Sequence, residues 1–337
     1  MDQTIETSSG RFYIRPYEDE DEDVTRSLWK AAFGKEISRD LWRWKYHQPQ
    51  FGRRIYLCLT SEDQPVVMFS CMPYPALLHG NAVKIGHAVD SMSHPEFRGS
   101  VSGRRGLFAL TAGLFFDLYG RKDDLIFIYG FPGERHYRLG KILLNYTRIP
   151  NSLLYFSWQA GSLKNKLRLF KGKLGLVRGN DPVLDDLALR MKDYYPFAVL
   201  RDSSFMNWRY EQHPTASYQI FTFNSFLRRK IKGFMVVRLE SGLATIVDMF
   251  LPPDQGVIID FLARACARLE DMGAERVRTW LPDNHFQTGA LRSLGIEPEN
   301  EPLGIIPASV ASDFHPEISH KAGMRELFYT MADGDLV

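Results

Sequence analysis

Cysteine is scarce in this 337-residue chain, and the three present, Cys58, Cys71 and Cys266, are odd in number and far apart. That spacing supports no disulfide framework and no Cys-x-x-Cys metal pair, and a reducing cytoplasm is the simplest compartment. Net charge is nearly absent too: 42 basic against 40 acidic residues give a formal +2. A nucleic-acid binder ordinarily carries a strongly basic domain or stripe, and this balance advertises none. Long apolar runs are missing as well. The longest, Leu107 to Leu118, is 12 residues broken by Thr111, Gly113 and Asp117, against the roughly 20 that a membrane span needs. The N-terminal MDQTIETSSGRFYIRPYEDEDED lacks the basic start and apolar core of a secretory leader. The nine histidines form no His-x-His or His-Glu-x-x-His pattern, so no metal site is expected.

What is plentiful is aromatic: 13% of residues, enough for substantial cores. The chain also repeats itself. Trp44-Lys45-Tyr46-His47-Gln48-Pro49 is echoed by Trp208-Arg209-Tyr210-Glu211-Gln212-His213-Pro214, and each is followed by β-rich segments. Ala88-Val89-Asp90 and Ile246-Val247-Asp248 come next, each with a proline five residues after the aspartate. Helical runs follow, GLFALTAGLFFDLYG and VIIDFLARACARLEDMG, then strands ending at proline, LIFIYGFP and RVRTWLP. Pro132 to Asn145 and Pro282 to Gly295 have equal length, with His136-Tyr137 and His285-Phe286 near their starts. Collinear self-similarity of this kind is the mark of a duplicated unit.

The unit reads as strand, helix, two or three antiparallel strands, helix, strand, helix. This is a mixed α/β fold with a mostly antiparallel sheet flanked by helices. Two tandem copies are expected, residues 1–158 and 196–337, joined by a helical segment at 159–195. That joint carries Lys164, Lys166, Arg168, Lys171, Lys173 and Arg178 among leucines. It reads as a solvated connector, with contact to a membrane surface or an acidic partner as the competing reading. Glu18 to Asp23 suits a helix start, where carboxylates meet the positive end of the dipole; drawing in a cationic substrate is the alternative. Trp42, Trp44 and Trp208 are expected in cores rather than stacked on sugars.

The segment from Asp90 to Phe108, DSMSHPEFRGSVSGRRGLF, carries the chemistry. It follows a strand and opens a helix. Glycines at 99, 103 and 106 permit sharp turns and close approach. The helix start offers unpaired N–H groups to an anion, and Arg98, Arg104 and Arg105 add charge suited to phosphate. The competing reading is a surface turn whose arginines face water. In the second half Pro252-Pro253-Asp254-Gln255-Gly256-Val257 has no arginine and adds an aspartate, which repels phosphate. Only the first half is therefore expected to hold such a ligand.

Strand, then His94-Pro-Glu-Phe-Arg-Gly99 and Arg105-Gly-Leu-Phe108, resembles the central motif of the GNAT N-acetyltransferases. The segments Ile126–Pro132 and His136–Tyr146 resemble the strand and helix that follow it. The Trp-x-Tyr element and the FYTMADGD ending resemble a tandem two-domain bacterial type. The resemblance implies an acyl-CoA-dependent N-acyltransferase, with acetyl-CoA or another acyl-CoA as cosubstrate and a small-molecule amine or amino sugar as acceptor. It implies that Ser91, Met92 and Ser93 serve the pantetheine arm, with a main-chain N–H near Met92 on the thioester oxygen. Arg98, Gly99, Gly103, Arg104, Arg105, Gly106, Leu107 and Phe108 would hold the pyrophosphate. The loop is about five residues longer than the family's (near Ser100 to Arg104), and Phe108 replaces a small residue. Where many members have a helix tyrosine to protonate the leaving thiolate, this chain has Gly140 and Lys141, and Tyr137 stands one turn earlier. The candidate proton-transfer residues are Tyr137, Asp90 and Glu134, with His87 and His136 behind them. Strand alternation sends His87 and Asp90 to opposite faces. A non-catalytic binding protein of this fold and an aminoacyl-tRNA-dependent transferase are the alternatives, the latter requiring a basic groove.

Overall fold

The computed structural model describes all residues except 1, 8–9, 49–50, 99–102, 104–105, 167–171, 226–229, 312–313, 316–317, 319–323 and 336–337. The chain divides into two compact units. The first comprises Met1–Ala76, Ala82–Ile149 and Ile305–Gly323; the second comprises Leu77–Asn81, Pro150–Gly304 and Met324–Val337.

The first unit begins with β1 (Gln3–Thr7), β2 (Gly10–Pro16), α1 (Glu22–Phe33) and α2 (Arg39–Tyr46). Then come β3 (Arg54–Thr60), β4 (Pro65–Leu78), β5 (Asn81–Ser93), α3 (Leu107–Tyr119), β6 (Leu125–Gly130), α4 (Glu134–Leu144) and β7 (Thr147–Arg148). Gly34, at φ 71°, closes α1 in the left-handed turn that glycine adopts without strain, and Ser38 caps α2 by accepting from Leu41 N. The strands order as β1-β2-β3-β4-β5-β6, then β16 (Ala308–Ala311), then β7. The β5–β6 pair is parallel, which requires a crossover, and α3 supplies it. The core beneath α3 is aromatic: Phe69 meets Phe115 and Phe116 at 5.0 and 5.3 Å.

The second unit contains β8 (Leu153–Gln159), β9 (Gly172–Val177), α5 (Val183–Met191), β10 (Phe197–Val199) and the short α6 (Ser203–Met206). It continues with β11 (Gln219–Ser225), β12 (Ile231–Glu240), β13 (Leu243–Phe250), α7 (Gln255–Asp271), β14 (Arg276–Pro282), α8 (Phe286–Ser293), β15 (Pro298–Glu299) and β17 (Leu327–Phe328). Its sheet runs β15-β8-β14-β13-β12-β11-β9, again with one parallel pair, β13–β14, bridged by a helix. β10 pairs in parallel with β17 and also with β4. Residues near the C-terminus are locked down by buried arginines. Arg201 reaches Asp248 at 3.2 Å and Asp333 at 2.6 Å, and Arg209 donates to the carbonyls of Ala332 and Gly334.

The element order β3-β4-β5-α3-β6-α4 of the first unit recurs as β11-β12-β13-α7-β14-α8 in the second. After the last helix of each half, one strand leaves for the other sheet while a short one, β7 or β15, stays. β8, which follows α4, pairs antiparallel with β14 from Leu153↔Pro282 to Gln159↔Arg276. β16, which follows α8, pairs antiparallel with β6. Each sheet is thus completed by residues that follow the other half's final helix. This places the expected segments 1–158, 159–195 and 196–337 against a different division. Residues 153–159 belong to the second sheet, the expected connector supplies β9 and α5 of the same unit, and Ile305–Gly323 belongs to the first unit. Strand-like residues advertise a strand, whereas the edge it joins is a tertiary choice.

Candidate functional site: a strand that leaves its neighbour

β5 and β6 are paired only in part. Their ladder runs from Lys84↔Leu125 to His87↔Tyr129, and β5 then continues to Ser93 while β6 ends at Gly130. Three residues past the last pair stands Asp90, whose φ of 51° lies in the left-handed region that a strand residue does not normally enter. Its carboxylate accepts from Lys45 Nζ at 2.7 Å and from Tyr46 Oη at 2.5 Å, both on α2. Ser70 Oγ lies 3.2 Å from Tyr46 Oη and donates to Val89 O at 2.7 Å. The Asp90 side chain is only 5% exposed although the residue as a whole is half-buried, so it is the main chain that reaches solvent here.

The expected ligand-binding residues flank this point. Met92 is buried, and Ser91 and Ser93 are half-buried at the end of β5. Arg98 is already engaged: its Nε donates to Ser93 O at 3.2 Å and its Nη2 to Ala32 O at 3.4 Å, near the negative end of the α1 dipole. Gly103 has φ 75°, and its carbonyl accepts from Gly106 N, the N-cap of α3. Leu107 is buried in the core and Phe108 packs edge-on against Phe69 at 6.0 Å, so both side chains point away from a ligand. What α3 offers is main chain, for no side chain caps its N-terminus. Gly99, Arg104 and Arg105 lie outside the described residues.

The candidate proton-transfer residues scatter. His87 is buried in an aromatic stack, 5.2 Å from Tyr129 and 5.9 Å from Phe131, while Asp90 turns to α2. Glu134 is exposed at the start of α4 and pairs with Arg138 at 2.9 Å. His136 is exposed, 6.3 Å ring to ring from Tyr146. Tyr137 is on the buried side of α4 with the Arg148 guanidinium 5.5 Å from its ring. Gly140 has no room for a side chain, because a Cβ there would lie 2.3 Å from the Tyr146 ring. Burial pushes the Cys58 and Cys266 thiols up to about 12 and Cys71 well above its ordinary value, so all three are protonated at neutral pH. Among the described residues no group of three metal-ligating side chains occurs, and no helix is long and apolar enough to cross a membrane.

The second unit shows the same splay, but filled. The β13–β14 ladder stops at Ile246↔Thr279. Beyond it, Tyr195 Oη donates to Leu251 O at 2.7 Å and accepts from Leu251 N at 2.9 Å. Gln287 Nε2 donates to Met249 O at 3.0 Å and to Tyr195 Oη at 2.8 Å. The N-terminus of α7 is capped by Asp254, which accepts from Val257 N at 3.1 Å. Asp248, the counterpart of Asp90, accepts from Tyr210 Oη at 3.0 Å, as Asp90 does from Tyr46. The paired Trp-x-Tyr and Val-Asp repeats mark these contacts in the sequence. Lys45, Gln287 and Tyr195 carry no such signal.

Residues 13–140 match the family model described as the acetyltransferase (GNAT) domain. No curated protein matches the sequence. Among solved structures, a probable N-acyltransferase from Enterococcus faecalis V583 superposes with TM-score 0.71 at 14% identity, covering 91% of this chain and 74% of that one. A GCN5-related N-acetyltransferase from Kribbella flavida gives TM-score 0.65 at 14% identity over 88% of this chain and 70% of its own. Saccharomyces cerevisiae N-myristoyltransferase, solved with bound myristoyl-CoA, gives 0.56 at 10% identity over 88% and 79%. Residues 13–140 are thus similar to a GNAT acetyltransferase domain, and the fold of the chain is shared with GCN5-related N-acetyltransferases along most of its length.

Proposed function

We propose that the chain transfers an acyl group from acyl-CoA to an amine, holding one acyl-CoA in the first unit. The observation that carries this reading is the early end of the β5–β6 ladder, with β5 running on to Ser93 towards the uncapped N-terminus of α3. A pantetheine arm, itself a chain of amides, would lie along Ser91–Ser93 like an added strand. The pyrophosphate would meet the main-chain N–H groups at Leu107 and Phe108, where the helix dipole favours an anion.

The reaction asks little else of the protein. The amine attacks the thioester carbon, the C–S bond breaks, and the departing thiolate takes up a proton while the new amide loses one to solvent. Tyr137 is our candidate for the thiolate's proton donor. By the equal spacing of Pro132 to Asn145 and Pro282 to Gly295, it corresponds to Gln287, whose amide reaches the main chain of β13 inside the second splay. Asp90, bound to a lysine and a tyrosine, is poorly placed to take a proton. In the second unit Tyr195, Gln287 and Asp254 already satisfy the groups an acyl-CoA would use, which supports a single site per chain. An acetyl donor and a small amine or amino sugar acceptor are the first pair to test.

Calorimetry with acetyl-CoA, octanoyl-CoA and myristoyl-CoA tests the reading. One site per chain is expected for at least one donor, followed by thiol release when a panel of polyamines, amino sugars and amino acids is added. Absence of binding for all three donors refutes it, and binding without thiol release for any amine points to a non-catalytic role.

A further inference from the structure

Resting on the acyltransferase reading, we propose that Lys45, Tyr46 and Asp90 form a positioning clamp that fixes the main-chain turn where β5 leaves β6, so that main-chain N–H groups at this turn meet the thioester oxygen. Asp90 is accordingly a positioning residue and not the general base.

Three features carry this. First, the clamp holds a conformation that does not hold itself. A left-handed residue is strained for an L-amino acid, less so for aspartate, and in a strand it interrupts the ladder. Asp90 has that φ, and the β5–β6 ladder ends three residues before it. Second, the forces on the residue are divided. The side chain is tied to α2 at 2.7 and 2.5 Å and is 5% exposed, while the main chain faces outward. Tyr46 joins through Ser70 to the carbonyl of Val89, so residues 89 and 90 are held by one network. Third, the second unit serves as an internal control. Asp248 holds the equivalent tyrosine but stays out of the left-handed region, and the main chain after it is satisfied by Gln287 and Tyr195. The left-handed turn is found in the unit whose splay is open.

The test uses the full chain and acetyl-CoA labelled with carbon-13 at the thioester carbonyl. In the wild type, the carbonyl resonance of the bound donor should be displaced from its position in free acetyl-CoA. Asp90→Ala should bind the donor within about threefold of wild type, because the pantetheine and pyrophosphate contacts remain, yet its carbonyl resonance should return to the free position; a displacement of about 1 Å is enough to lose such an alignment. Asp90→Asn should keep the displaced resonance, since asparagine tolerates the left-handed region and still accepts from Tyr46. Should Asp90→Ala fail to fold, Tyr46→Phe reads the same signal with the lysine contact retained. A folded Asp90→Ala that keeps the displaced resonance overturns the proposal, as does an Asp90→Asn that loses it as fully as alanine. A wild type that binds acetyl-CoA without displacing the resonance overturns the clamp alone. A wild type that binds no acyl-CoA removes the parent reading, and the clamp with it.

Discussion

His285 gives the second unit a dependence on pH that can be worked out in advance. Its ring lies 3.9 Å from Phe286 and 4.4 Å from Phe328, and neither ring nitrogen has a hydrogen-bond partner. Burial lowers its pKa from 6.5 to about 3. The folded state therefore keeps the ring neutral where the unfolded chain protonates it. Above about pH 6.5 this group leaves stability unchanged. Between pH 6.5 and about 3 the unfolded state binds the extra proton, so stability falls as the pH falls. At 1.36 kcal/mol per unit of separation, the loss between pH 7 and pH 5 reaches about 2 kcal/mol as an upper figure. For a unit of this size that is roughly 4–8 °C in melting temperature. The assay is thermal unfolding followed by tryptophan fluorescence at pH 7 and pH 5, for the wild type and His285→Phe. The variant should lose less on acidification by about that amount, the remaining groups being common to both. Equal losses in the two proteins would show that the ring is not held neutral, and the reasoning fails.

Other expectations are as direct. Tyr137→Phe should lower kcat about 10²-fold or more and leave the affinity for acetyl-CoA unchanged, if its hydroxyl protonates the thiolate; an unchanged kcat excludes the role. Gly140→Ala forces a Cβ to within 2.3 Å of the buried Tyr146 ring and should cost about 1–3 kcal/mol in chemical denaturation. Arg201→Met strands the carboxylates of Asp248 and Asp333 in the core and should cost about 3–5 kcal/mol, read as a fall in melting temperature. Tyr195→Phe should cost about 1–3 kcal/mol by leaving the N–H and C=O of Leu251 unsatisfied, without adding a second acetyl-CoA site in calorimetry.

Much of the fold was legible because it rests on local pattern. The unbroken apolar run LIFIYG, the glycine-rich turn into α3 and the proline-terminated strands are written in short windows. The tyrosine–aspartate contacts of the two units, Tyr46 with Asp90 and Tyr210 with Asp248, were foreshadowed by the repeats that contain them. Partner choice over long distance was hidden. Nothing in Leu153–Gln159 says that it will lie beside Arg276–Pro282, because either sheet presents an edge that an alternating strand fits. Roles set by geometry were hidden too. Arg98 looked like a phosphate ligand by charge and position, yet its guanidinium lies against the carbonyls of Ser93 and Ala32. Gly140 stood where a tyrosine was sought, and the ring that excludes any side chain there comes from Tyr146, six residues later.

The reciprocal exchange of β8 and β16 bears on how the protein is made. A ribosome adding about 5–20 residues per second releases Ile149 roughly 10–30 s before Ala311, the last residue of the strand that shields the rim of β6. For that interval the nascent amino-terminal half presents a bare row of amide and carbonyl groups, the template on which aggregation starts. A gene cut after Gln159 should yield two sticky fragments that recover solubility when produced together, each supplying in trans the strand its companion lacks.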